Sequence, residues 1–241
     1  MYAVRREGTL YLMPVWLGDA GGMEQLPPEN AEIASRITLY FCEHERTARQ
    51  MLRRMVPDIA LGSLELHRLD KDTSGSDARA LLAPLIAGRD GVILSEAGMP
   101  GIADPGALLV QAAHQAGITV RPLIGPSSLV LALAASGLNG QCFTFHGYLP
   151  RDVHERRTAI KRIEQEAMRN GAAHLFIETP YRNDAMLDEL LRSCQHGTLL
   201  TVATDLTQPE GSVSTRSIGD WKAHPITIGK RPTVFIIGSR P

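Results

Sequence analysis

"SEAGMPGIADPG", residues 95–106, decides how the rest of the chain is read. It follows a short apolar run, Gly91 to Leu94, that reads as a buried strand, and it leads into a helical pattern. Its twelve residues include two prolines, three glycines and two carboxylates. Glycine lets the backbone take positive φ and approach a ligand closely, while proline stiffens it. A strand end built this way offers main-chain groups more than reactive side chains. Ligands of open α/β sheets bind beyond the carboxyl ends of the strands. The segment is therefore expected to hold a ligand through its backbone.

Outward from this loop, strand and helix patterns alternate. Strands are expected at Thr9–Val15, Ile37–Cys42, Leu64–Leu69, Gly91–Leu94 and Ile118–Pro122, each short and apolar as a strand buried on both faces should be. Helices are expected at Pro28–Ala34, in "HERTARQMLRRM" (residues 44–55) and in "SGSDARALLAPLIAG" (residues 74–88), the last with Ser or Asp as N-cap and Gly88 beyond its end. In "ADPGALLVQAAHQAG" (residues 103–117), Asp104 is the expected N-cap, Pro105 the first helical residue and Gly117 the stop. Such alternation implies a mainly parallel sheet covered by helices.

Gly125-Pro126 interrupts the pattern and sets the expected boundary, with one domain over 1–124 and the other over 125–241. The second half begins with the small-residue helix "SSLVLALAASG". Strands follow at Thr144–Leu149, "AHLFIE" and "TLLTVATDL", with helices over Val153–Arg169 and Asn183–Cys194, and the chain closes on "SVSTRSI", "DWKAH" and "RPTVFIIGS". Hairpin-like spacing near the end predicts a mixed sheet.

The chain has 241 residues, 44% hydrophobic and 21% charged, with net charge −1. That is ordinary for a soluble globular protein, and contact with nucleic acid would need a local basic patch. No apolar run approaches the roughly 20 residues that span a bilayer, and no signal-peptide pattern is present, so a cytoplasmic protein without membrane contact is expected. The three cysteines are read as buried free thiols. No dinucleotide fingerprint, phosphate loop or nucleophile elbow occurs. None of the eight histidines has metal-ligand spacing to another, so no metal is expected. His44, between Glu43 and Glu45 just past a strand, is the one to watch.

The chain resembles the tetrapyrrole methylase-fold, S-adenosylmethionine-dependent methyltransferases. It is most similar to the branch that methylates the ribose 2′-hydroxyl of a cytidine in small-subunit ribosomal RNA. "ILSEAGMPGIADPG" resembles the hallmark "SDAGTPLISDPG" of that branch, and "LYFCEHERTARQML" its acidic "EDTR" segment. "GTLYLMPVWLGDA", "PLIGPSSLVLALAASGL", "FHGYLPR", "FIETPYR" and "ATDLTQ" also match. Departures occur at "PVWLGD" for "TPIGN", "EHER" for "EDTR", and Glu96 and Met99 for the Asp and Thr of "SDAGTP".

The resemblance implies two α/β domains with S-adenosylmethionine in the cleft between them, usually in a homodimer. Leu17, Gly98, Met99, Ile102 and Ser127, then Ser128, Thr179, Ala203 and Thr233, would contact the cofactor. A ribose acceptor also needs a route for its proton. Glu43, Glu96 and Glu178 are candidates, with Glu178 first as the catalytic residue. Arg46, Arg49 and Arg151 would bind substrate RNA of the small ribosomal subunit. Two alternatives stay open: a tetrapyrrole or other small-molecule acceptor, and a non-catalytic S-adenosylmethionine-binding protein.

Overall fold

The computed structural model describes residues 7–239. The chain divides into two compact units, one ending at Ser127 and the other beginning at Ser128. Both are α/β, the first on a parallel sheet and the second on a mixed one. No described helix is long and apolar enough to cross a membrane.

The first unit runs β1 (Thr9–Met13), α1 (Pro28–Arg36), β2 (Leu39–Cys42), α2 (Glu45–Met55), β3 (Glu65–Arg68), α3 (Gly75–Ala80), α4 (Ala83–Ile86), β4 (Gly91–Leu94), α5 (Ala107–Gln115) and β5 (Thr119–Pro122). Its strands lie in the order β3-β2-β4-β1-β5, and every pairing is parallel. Central β2 and β4 are buried throughout because helices cover both faces. Tyr40, Val92 and Leu94 face one core and Leu39, Phe41 and Ile93 the other. Strands β3 and β5 depart from the expectation of two-sided burial: as sheet edges they are partly exposed.

Two helix starts also differ from the sequence pattern. The run from Ser74 splits into α3 and α4, with Pro84 in the first turn of α4, where its missing N–H costs nothing. Ser74 and Asp77 form the capping box of α3. Helix α5 begins only at Ala107 because Gly106, at φ 131°, is its N-cap. Asp104 and Pro105 are thus left in the loop.

The second unit runs α6 (Ser128–Ser136), β6 (Phe143–Tyr148), α7 (Val153–Asn170), β7 (Ala173–Ile177), α8 (Asn183–Ser193), β8 (Leu199–Thr204), β9 (Ser212–Ser217), α9 (Ile218–Ala223) and β10 (Thr233–Gly238). The strand order is β6-β7-β10-β8-β9; β6 and β7 pair in parallel and the other pairs are antiparallel. Asp152 caps α7 by accepting the His154 and Glu155 amides, and Gly171 closes it in a left-handed conformation. One face packs Ile160, Ile163, Phe176, Phe235 and Trp221 together; the other packs Leu129 and Leu133 of α6 against Ala203 and Val234. Cys42 and Cys194 are buried, but Cys142, beside the edge strand β6, is exposed, contrary to expectation.

Candidate functional site

In the first unit, the loops after β1, β2 and β4 meet because these strands are neighbours in the sheet. The Ser95 amide donates to the Met13 carbonyl and continues the pairing of β4 with β1. Beyond it, Val15 and Gly98 exchange both backbone hydrogen bonds, at 2.9 and 3.0 Å. The 95–106 loop is thereby fixed to the 14–17 segment. It bends through Gly98 (φ 70°), Gly101 (φ 76°), Ala103 (φ 57°) and Gly106 (φ 131°). Left-handed backbone of this kind is disfavoured outside glycine, so Ala103 carries a conformational cost.

Of the three glycines in this loop, Gly98 is the most crowded. A Cβ there would lie 3.3 Å from Leu17 Cδ2 and 3.3 Å from the Pro126 carbonyl oxygen. The structure therefore brings Leu17, Gly98 and the segment leading to Ser127 to one place. Leu17, Gly98 and Ser127 are buried, Met99 is half-buried, and Ile102 presents an apolar side chain that is 50% exposed.

An acidic cluster with one imidazole borders this loop. His44 Nδ1 lies 2.7 Å from Glu96 Oε1. Donor atoms of Glu43, His44 and Glu96 all fall within 4.8 Å of one another, close enough for a cation to bridge. Two of those atoms share the His44–Glu96 hydrogen bond. Burial, reinforced by Glu96, raises the Glu43 carboxyl above its usual range. Asp104 is pushed up to about 7, chiefly by burial and further by Glu43 and Glu96, with Ser95 pulling the other way. Cys42, also at the end of β2, is raised to about 11 by burial and by Glu45 and Glu96, so it is no thiolate nucleophile.

In the second unit, Thr179 follows β7, Thr233 opens β10, and Ala203 faces Val234 from β8. These positions converge at one end of the sheet. Ser128 opens α6, whose Leu129 and Leu133 share a core with Ala203. Glu178 is buried, and its Oε1 accepts from the Thr179 amide at 2.6 Å and from Arg182 Nη2 at 2.6 Å. Asn183 donates to the Arg231 carbonyl and the Thr233 hydroxyl. Its Oδ1 and the Arg182 Nε are buried without a partner.

The basic residues divide into two groups. Arg49, Arg53 and Arg54 donate to the carbonyls of Leu61, Pro57 and Gly21, and Arg54 also stacks 4.3 Å over Trp16. Arg156 donates to the Pro150 and Arg151 carbonyls, and Arg157 pairs with buried Glu189. These side chains brace their own segments. Arg46, Arg151 and Lys161 are exposed.

Two features were hidden in the sequence. Asp104 reads there as a helix cap but stands in the acidic cluster. Tyr181 is 79% exposed, with Lys230 Nζ over one face of its ring, 5.0 Å from the centre. An aromatic in a Pro-containing strand-end loop was its only signal.

The family profile described as Tetrapyrrole (Corrin/Porphyrin) Methylases matches residues 20–220. A protein of Xylella fastidiosa (strain Temecula1) named Ribosomal RNA small subunit methyltransferase I is 34% identical over 201 residues, 83% of this chain and 69% of the relative. A protein of the same name from Halalkalibacterium halodurans is 35% identical over 185 residues, 77% of this chain and 60% of the relative. The crystal structure of the methyltransferase CobJ superposes with a TM-score of 0.62 at 20% identity, over 97% of this chain and 94% of that one.

Proposed function

The chain belongs to the tetrapyrrole methylase family, and from that premise we propose that it transfers the methyl group of S-adenosylmethionine to a ribose 2′-hydroxyl of small-subunit ribosomal RNA. The observation that carries the cofactor assignment is the Gly98 contact. A left-handed backbone turn that would crowd a side chain against Leu17 and the Pro126 carbonyl suits close main-chain recognition of a small molecule. Leu17, Gly98, Met99, Ile102 and Ser127 of the first unit, with Ser128, Thr179, Ala203 and Thr233 of the second, are the residues proposed to hold it.

When bound, the sulfonium supplies a strongly electrophilic methyl group. What remains for the protein is to place the acceptor oxygen in line with that carbon and to receive its proton. Glu178 suits an anchoring role. Its carboxylate holds the start of the Thr179 turn and the Arg182 guanidinium, so the accepting oxygen is already engaged by two donors.

The names of the relatives, all rRNA enzymes, support the RNA substrate. The exposed Tyr181 supports it independently, because unstacked bases of single-stranded RNA bind on aromatic faces, and Lys230 covers only one of its two faces. Arg46 and Arg151 are proposed to contact phosphates. A homodimer in the cytoplasm belongs to the same proposal, and sedimentation of the purified protein tests the dimer.

Calorimetric titration with S-adenosylhomocysteine tests the cofactor assignment. Micromolar binding is expected, with loss of binding in Ser127→Trp and an unchanged circular dichroism spectrum. Unchanged affinity in that variant would remove Ser127 from the site. Transfer of tritiated methyl to undermodified small ribosomal subunits tests the acceptor. Labelling of a tetrapyrrole instead would replace it.

A further inference from the structure

We infer that His44, oriented by Glu96, is the group that takes the proton of the acceptor hydroxyl. The inference rests on the methyl-transfer reading above and adds a residue that neither the motif comparison nor Glu178 supplies. Three observations carry it. First, the imidazole Nδ1 is 2.7 Å from a Glu96 oxygen. A carboxylate can only accept, so Nδ1 carries the hydrogen and the lone pair is left on Nε2. This is the way a carboxylate orients a histidine base in hydrolytic triads. Second, the His44 side chain is 68% exposed while Glu96 is 33% exposed. The orienting carboxylate is thus half-buried, and the ring it holds is open to an incoming substrate. Third, Glu96 lies two residues before Gly98, in the loop proposed to hold the cofactor, and the loop after β2 reaches it because β2 and β4 are adjacent.

Around the His44–Glu96 pair, Glu43 interacts with His44, Glu96 and Asp70, Asp104 interacts with Glu43 and Glu96, and Cys42 with Glu45, Glu96 and Arg49. The step balances. As the acceptor oxygen bonds to the methyl carbon and the methyl–sulfur bond leaves its electron pair on sulfur, the hydroxyl proton passes to Nε2 and from there to water.

The test uses the full chain in two measurements. Single-turnover methyl transfer to undermodified small ribosomal subunits is followed against pH for wild type, His44→Gln and Glu96→Gln. The wild-type rate is expected to climb an acid limb and level off. His44→Gln should be slower by about 10²- to 10⁴-fold, the usual contribution of a general base, and should lack the limb. Glu96→Gln should also be slower, by up to about 10⁴-fold, as when the orienting carboxylate of a hydrolytic triad becomes an amide. Both variants should bind S-adenosylhomocysteine as wild type does. Nitrogen-15 NMR of the histidines, with His44 assigned by its absence in His44→Gln, is expected to show the Nδ1–H tautomer in wild type and its loss in Glu96→Gln. This readout needs no turnover.

A wild-type rate and limb in His44→Gln would overturn the inference, as would an Nε2–H tautomer in wild type. So would a wild-type rate abolished by EDTA and restored by a divalent cation, which would make the cluster a metal centre. A wild-type protein that binds no S-adenosylhomocysteine and labels no RNA would overturn the functional reading itself, and this inference with it.

Discussion

Asp104→Asn should stabilise the first unit at alkaline pH and do nothing for it in acid. The wild-type carboxyl titrates at about 7, against 3.8 for an unperturbed aspartate, because it is buried beside Glu43 and Glu96. At pH 8 the folded protein must ionise this group where charge is disfavoured, while the unfolded chain ionises it in water. The displacement spans about three pH units at about 1.4 kcal/mol each. Allowing for partial exposure, the cost is roughly 2–4 kcal/mol. The sign follows from a raised carboxyl: its stabilising influence is complete below pH 4 and is lost as the pH rises to about 7 and beyond. The amide variant carries no such burden, so its advantage over wild type should grow from near zero at pH 4 to its full value above pH 7. Urea unfolding across that range measures it, followed by the fluorescence of buried Trp16 in a Trp221→Phe background, since the chain has two tryptophans. A pH-independent difference would refute the reasoning, because it would mean that the Asp104 carboxyl feels neither burial nor its acidic neighbours.

Three further outcomes are expected. Gly98→Ala should cost about 1–2 kcal/mol for its left-handed backbone and weaken S-adenosylhomocysteine binding about tenfold by calorimetry, through crowding against Leu17 and the Pro126 carbonyl. Glu178→Gln strips Arg182 of its partner carboxylate and should destabilise the second unit by roughly 1–3 kcal/mol in urea unfolding read by Trp221. Burial lowers both His146 and His174, which share a 2.9 Å hydrogen bond. Unfolded histidines bind protons from about pH 6.5 downward while these resist, so the second unit should lose stability as the pH falls below about 6.5. His174→Phe should flatten that dependence in thermal melts taken from pH 7 to 5.

The sequence was most legible where one physical requirement acted alone. Strand β4 was expected at Gly91–Leu94 and stands there, because a four-residue apolar run before a glycine-rich loop has few other uses. The start of α5 was misplaced because Asp-Pro is an equally good opening for a helix and for a loop. The choice fell to Gly106, whose φ of 131° only the folded loop reveals. The His44–Glu96 pair was beyond sequence reasoning for a different reason. The two residues are 52 apart, and they meet only because the sheet places β4 beside β2, an order that periodicity does not encode. The arginines show the same limit in reverse. Arg46 and Arg49 lie one turn apart on α2 and look alike in sequence. Yet Arg49 reaches the Leu61 carbonyl while Arg46 stays exposed, because only the former faces the segment that follows the helix. A charge at a strand end is thus ambiguous until its partner is known. A partner made of backbone makes it a brace, whereas a partner made of another side chain, with one atom left open as at His44, leaves it able to do chemistry.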